Sequence, residues 1–215
     1  MPPSRVSRRT TAGVLIAAAL IGLLAGLWLA GGPPGRTLND LHATLLPEPR
    51  AIGPFELVDH HGNTFTAAHL RGKWTFVFLG YTHCPDVCLT TLTTLDRISD
   101  ALAGGPLEGD TLFLFVSVDP RRDDPARLAE YVAYFNEGFI GATGIEQELR
   151  SLAARMAVPY RIPADADPAA GYTVDHSASV MLLGPAAGFH AVFSAPHDAE
   201  RMIADYRKIR QYRKD

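Results

Sequence analysis

Two stretches of the chain, "KWTFVFLGYT" (73–82) and "TLFLFVSVD" (111–119), are apolar or β-branched at almost every position. A strand with one wet face alternates, so these runs predict strands covered on both sides. Between them, Val87, Leu92, Leu95 and Ile98 keep a helical spacing that predicts a helix over about 85–103, with Pro85 in its first turn and Gly104-Gly105 beyond its end. Strand, helix and strand then form a parallel βαβ unit. "PFELVDHHGNTF" predicts an earlier hairpin, with strands near 55–59 and 63–66 and His60-His61 at its tip. Further helices are expected over 123–135 and 144–156, the second opened by a start signal in Thr143 and Glu146. Two late strands, 177–184 and 189–194, flank a Pro-Ala-Ala-Gly turn, and residues 198–213 supply a last helix. The fold class is α/β, a mixed sheet flanked by helices with an extra N-terminal β-hairpin.

The N-terminus follows a different pattern. Arg5, Arg8 and Arg9 precede the run from Gly13 to Gly32, 20 residues without a charge. That length suits a bilayer-spanning helix and exceeds the roughly 7–15 apolar residues of a cleaved signal. Cleavage after Ala30 would also put bulky Trp28 near the cut. The retained-anchor reading is therefore favoured over the signal reading. It gives a cytoplasmic N-terminus (1–12), a transmembrane anchor (13–32), a linker rich in Gly, Pro and polar residues (33–50) and an extracytoplasmic domain (51–215).

Charge narrows the partners. Setting aside residues 1–30, with their three arginines and no acidic residue, the 20 basic residues fall to 17 against 23 acidic, a formal −6. An acidic domain argues against nucleic acid as a partner. Export also bears on the cysteines, because thiols outside the cytoplasm oxidise readily.

The chain has two cysteines, Cys84 and Cys88, in "GYTHCPDVCLTTL". They fall between a central strand and the first turn of a helix, on one side of it, where unpaired N–H groups favour thiolate. A disulfide stapling one turn is a weak reading, since so short a loop removes little chain entropy. A thiol redox couple is stronger: a Cys-Pro pair before a helix resembles thioredoxin-like oxidoreductases, although those have two intervening residues and this chain has three. A metal site is the third reading. Two thiolates with one further ligand suit a soft ion such as Cu(I), whereas structural zinc takes four. Of eight histidines, His176 is best placed, at the start of a late strand whose edge lies beside the cysteine loop. His83 adjoins Cys84 but points the other way, and Asp86 reads equally as a charge on the helix dipole and as a chemical group.

Taken together, "GYTHCPDVC" (80–88), "VSVDPRRDDP" (116–125), "YVAYFNEGFIGATG" (131–144) and "YTVDHSASVMLLGPAAG" (172–188) resemble the Sco/SenC family of membrane-anchored copper chaperones. The resemblance implies a thioredoxin-like fold that binds one copper ion through Cys84, Cys88 and His176. It implies delivery of copper to the binuclear copper site of cytochrome c oxidase subunit II, or reduction of that site's cysteines. Cys84 and Cys88 are then also the redox-active pair, and Asp86 and Asp119 are candidates for contact with the ligands or the partner. Further expected partners are other periplasmic copper chaperones and thiol reductants, with the protein in the inner (cytoplasmic) membrane. The alternative is a thiol-disulfide oxidoreductase acting on exported proteins. Leu89 stands where many members have proline, and Ser177 where threonine is frequent.

Overall fold

The computed structural model describes residues 18, 20–22 and 40–213, so the anchor expected over 13–32 lies almost wholly outside the described residues. Among the described residues, no helix is long and apolar enough to cross a membrane. The chain from Leu41 onward forms one compact unit.

Its centre is a pair of parallel strands, β4 (Trp74–Gly80) and β5 (Thr111–Ser117). Every residue of β4 is buried, and so are all but one of β5, as their unbroken apolar sequences require. Around them lie β1 (Thr44–Ala51), β2 (Glu56–Asp59), β3 (Thr64–Thr66), β6 (Ile140–Thr143), β9 (Val180–Leu183) and β10 (Gly188–Phe193). The eight strands run in the order β1-β10-β9-β4-β5-β6-β2-β3. β2 and β3 are the expected hairpin, joined to the sheet where Val58 pairs with Thr143. A separate ribbon pairs β7 (Tyr160–Arg161) with β8 (Asp175–His176), antiparallel.

Four α-helices complete the unit: α1 (Val87–Leu102), α2 (Pro125–Phe135), α3 (Glu146–Arg155) and α4 (Ala199–Tyr212). α1 buries Cys88, Thr91, Leu92, Leu95, Ile98 and Leu102, a stripe at three- and four-residue intervals. It packs against α4 and α2, while α3 packs against β2. Aromatic rings fill the centre: Phe76 stacks on Phe113 at 5.4 Å and meets Tyr206 of α4 edge-on at 5.0 Å. The Tyr206 hydroxyl is 2.6 Å from that of Thr111, so the buried ring keeps its polar end satisfied.

Several local expectations need correction. α1 begins at Val87, after an N-cap at Asp86, so Pro85 precedes the helix instead of lying in its first turn. The start signal expected for α3 does not form. Thr143 closes strand β6, its hydroxyl donates to the Ser117 carbonyl at 3.3 Å, and the N-cap Ile145 offers no side-chain bond. α2 and α4, by contrast, are capped by side chains, Asp124 accepting from the Arg127 N–H and Asp198 from the Arg201 N–H. β1 occupies the end of the stretch that composition reads as a linker. It is an edge strand whose pairing with β10 shifts register between Leu45 and Arg50, around Pro47 and Pro49, which have no N–H to give.

Candidate metal centre

The register of the central strands explains where the site forms. β4 and β5 are parallel, so the loops leaving both begin at the same edge of the sheet, where open α/β sheets place their ligands. β9 runs antiparallel to β4, with Val180 opposite Phe78, so the residues preceding β9 arrive at that edge as well. The loop after β4 carries Cys84, the first turn of α1 carries Cys88, and His176 ends β8 four residues before β9. One sulfur from each cysteine and one ring nitrogen of His176 lie within 4.8 Å of one another, and these three form the one His/Cys/Asp/Glu group among the described residues able to hold a metal ion.

Each donor is aimed by its surroundings. Nδ1 of His176 donates to the carbonyl of Ser177 at 3.0 Å, which leaves the lone pair on Nε2, 3.5 Å from the Cys88 sulfur. Tyr81 meets the imidazole edge-on at 5.6 Å and Phe78 does so at 6.0 Å, so the ring is held from two sides. Cys88 is wholly buried against Gly80, where a Cβ would stand 2.8 Å from its sulfur. Only glycine at the end of β4 lets α1 come this close.

Both cysteines are free thiols, and their environments separate their acidities. Hydrogen bonding from Cys88 is the largest influence on Cys84, followed by burial, which opposes it, and by its proximity to His176 and the N–H groups of Asp86 and Cys88; the net effect brings the Cys84 pKa down to about 4. Cys88 moves the other way, because it is the donor to Cys84 and is buried. The reduced pair therefore holds one thiolate, on the outer cysteine, and one thiol beneath it.

The remaining candidates separate clearly. His83 is 45% exposed and turns its Nδ1 to the Thr82 hydroxyl (3.1 Å) and Asp123 (3.5 Å), away from the three donors. His60 is not simply an exposed turn residue, since its Nδ1 accepts from the Gly141 N–H at 3.1 Å. The Asp86 carboxylate is exposed and makes no capping bond; its backbone N–H serves the Cys84 sulfur instead. Asp119 is fully buried, yet it bonds Arg122 and Tyr172 and not the cysteines.

Sequence reasoning missed a group just behind the site. Asp123 is fully buried and accepts from the Thr82 N–H at 2.8 Å, the Thr82 hydroxyl at 2.7 Å and the Ser117 hydroxyl at 2.5 Å, tying the cysteine loop to the end of β5. Arg122 and Tyr172 were missed as well. The available signal was the density of charge in "VDPRRDDP" directly after a fully buried strand, where an acidic residue needs a partner.

Fold and site together define a thioredoxin-like domain carrying a Cys-Cys-His group able to hold one soft metal ion. The SCO1/SenC family model matches residues 44–211, and the chain belongs to that family. A putative copper-binding protein of Stutzerimonas stutzeri is 36% identical over 159 residues, 74% of this chain and 76% of its own. Protein sco1 of Schizosaccharomyces pombe is 32% identical over 206 residues, 94% of this chain and 78% of its own. The copper-bound crystal structure of Arabidopsis thaliana ScoI shares 34% identity at a TM-score of 0.68, covering 74% of this chain and 98% of that one. Sco proteins are copper-binding proteins of cytochrome c oxidase assembly.

Proposed function

We infer that this protein binds one Cu(I) ion through Cys84, Cys88 and His176 and hands it to the binuclear copper site of cytochrome c oxidase subunit II. The observation that carries the reading is the convergence of two sulfurs and one imidazole nitrogen within 4.8 Å at one edge of the sheet. Two thiolates and one imidazole match a soft monovalent ion, and three ligands leave a side for an incoming partner thiolate. Transfer then proceeds by ligand exchange, each new sulfur bond replacing one to Cys84, Cys88 or His176. The apolar run from Gly13 to Gly32 after three arginines supports an anchor that holds the domain on the extracytoplasmic side of the inner membrane. Exposed Asp86 and Leu89 flank the cysteines on the rim a partner would meet.

The experiment is a competitive Cu(I) titration of the wild type and of Cys84→Ser, Cys88→Ser and His176→Ala. Tight binding of one ion by the wild type, weakened in every variant, supports the reading; equal, tight binding by wild type and His176→Ala would sink the three-ligand site.

A second reading is favoured by the acidity of Cys84, whose thiolate is held ready beside a thiol. In thiol exchange that thiolate attacks a partner disulfide and expels one partner sulfur as thiolate. Cys88 then loses its proton and attacks the Cys84 sulfur of the mixed disulfide; the Cys84–Cys88 disulfide forms, the partner's second sulfur leaves as thiolate, and two electrons have passed to the partner. The same subunit II cysteines are the substrate of this step. Trapping of the mixed disulfide by Cys88→Ser tests it, and no trapped adduct with an oxidised subunit II domain would remove its support.

A further inference from the structure

His176 is delivered by a segment with little to hold it in place. Between Arg161 at the end of β7 and Asp175 at the start of β8, most residues from 164 to 171 are exposed, and Val174 is the one buried apolar residue. Segments with so few buried contacts open readily unless something else pins them. Besides the two-residue pairing of β8 with β7 and the exposed Arg161–Asp175 ion pair, that something is a buried polar cluster. Asp119, fully buried, accepts from Nε of Arg122 at 2.6 Å and from the Tyr172 hydroxyl at 2.6 Å. Arg122 also donates from Nη1 to the Tyr172 carbonyl at 2.9 Å, and its guanidinium lies 3.6 Å over the Tyr172 ring. Its side chain is 8% exposed and that of Asp119 is 0% exposed, so both charges depend on each other and on Tyr172 for solvation.

The cluster reaches the imidazole by two routes. Tyr172 lies four residues before His176, about the length of chain needed to enter β8. On its other side, the guanidinium faces the ring of Tyr81 at 5.5 Å, and Tyr81 is one of the two rings set edge-on against His176. The backbone of Val174, two residues before His176, lies near enough to the Tyr81 hydroxyl to act on its acidity. A third tie, from Arg121 to the Ala166 carbonyl at 3.2 Å, holds the middle of the same segment.

We propose that the buried Asp119–Arg122–Tyr172 clamp is a positioning device for His176: it holds the imidazole against the cysteine pair before the ion arrives, and so sets how tightly the ion is kept. None of the three touches the donors, so their effect is on the cost of ordering the third ligand. The inference rests on the three-ligand reading above.

A double-mutant cycle in Cu(I) affinity separates the two. Tyr172→Phe removes one hydroxyl and leaves the ring on Arg122; with it are measured the wild type, His176→Ala and the double variant. The clamp predicts that Tyr172→Phe still binds one ion but about tenfold or more weakly, and that it adds nothing once His176 is gone. In the metal-free protein, the NMR signals of the His176 ring should broaden or shift in Tyr172→Phe while the core signals of β4 and β5 do not. Arg122→Lys, which keeps the charge and loses the fork and the stack, should behave alike and carries the cycle if Tyr172→Phe folds poorly. Unchanged affinity in Tyr172→Phe and Arg122→Lys overturns the clamp while leaving the three-ligand site standing, and so does an equal loss in the His176→Ala background. Equal affinity of wild type and His176→Ala overturns the three-ligand site and the clamp together.

Discussion

The sulfur of Cys88 lies 3.5 Å from Nε2 of His176, although 88 residues of chain separate them. The contact exists because β9 returns antiparallel beside β4, bringing the residue four places before it to the edge where β4 releases the cysteine loop. Sheet register is thus the reason a dithiol acquires a third donor.

That geometry makes the pair's titration asymmetric. The Cys84 pKa falls to about 4 and that of Cys88 rises, so the reduced protein should show one thiolate in its ultraviolet absorbance from about pH 5 upward, and no second one at pH 9. The effect on stability follows by linkage. Below the unfolded thiol value of 9.0, the unfolded chain binds the Cys84 proton that the folded protein has lost, so this contribution is full near pH 9 and disappears as pH falls through about 4. Urea midpoints of the reduced wild type relative to Cys84→Ser should therefore rise between those limits; a flat difference would contradict the assignment.

Metal uptake should release few protons. With Cys84 already a thiolate, loading Cu(I) at pH 8 displaces the Cys88 proton, about one per ion. Calorimetry in buffers of different ionisation enthalpy measures the count, and a value near two would place a proton on Cys84.

Gly80 is expected to tolerate no side chain. A Cβ there stands 2.8 Å from the Cys88 sulfur and 2.9 Å from the Phe115 ring. Gly80→Ala should cost about 1–3 kcal/mol in chemical unfolding and should weaken Cu(I) binding as well, because the relaxation moves Cys88. Loss of stability with unchanged affinity would show that the ring yields instead.

Asp123→Ala removes the acceptor for three buried donors, the Thr82 N–H and the hydroxyls of Thr82 and Ser117. Leaving them unpaired should cost about 3 kcal/mol. Asn at this position keeps an acceptor and should recover part of the loss. Equal denaturation midpoints for wild type and Asp123→Ala would contradict this account of the cysteine loop.

The central strands and α1 were legible because burial on both faces, or on one helical stripe, leaves a strong pattern in "KWTFVFLGYT", "TLFLFVSVD" and Val87 to Ile98. β1 was not. "TLLPEPRA" carries two prolines and no alternation, and it is a strand because its ends pair with an edge of β10. The short β6 and the two-residue β7 and β8 are products of tertiary pairing, too brief to show a period. At the site, the spacing of Cys84 and Cys88 and the setting of His176 before a strand made the three candidates, the family resemblance singled them out as a set, and the structure brings them within 4.8 Å of one another. Asp119 was nominated too, without its partners, since Arg122 is three residues away but Tyr172 is 53. A hydrogen bond across that distance leaves no local signature.

The central claim is that copper sits between two cysteines and one histidine of this chain, and X-ray absorption of the Cu(I)-loaded protein tests it most directly. At one ion per chain, the spectrum should be that of three-coordinate Cu(I) with two sulfurs and one nitrogen, and His176→Ala should lose the nitrogen. A two-coordinate, all-sulfur spectrum, the same in wild type and His176→Ala, would contradict it.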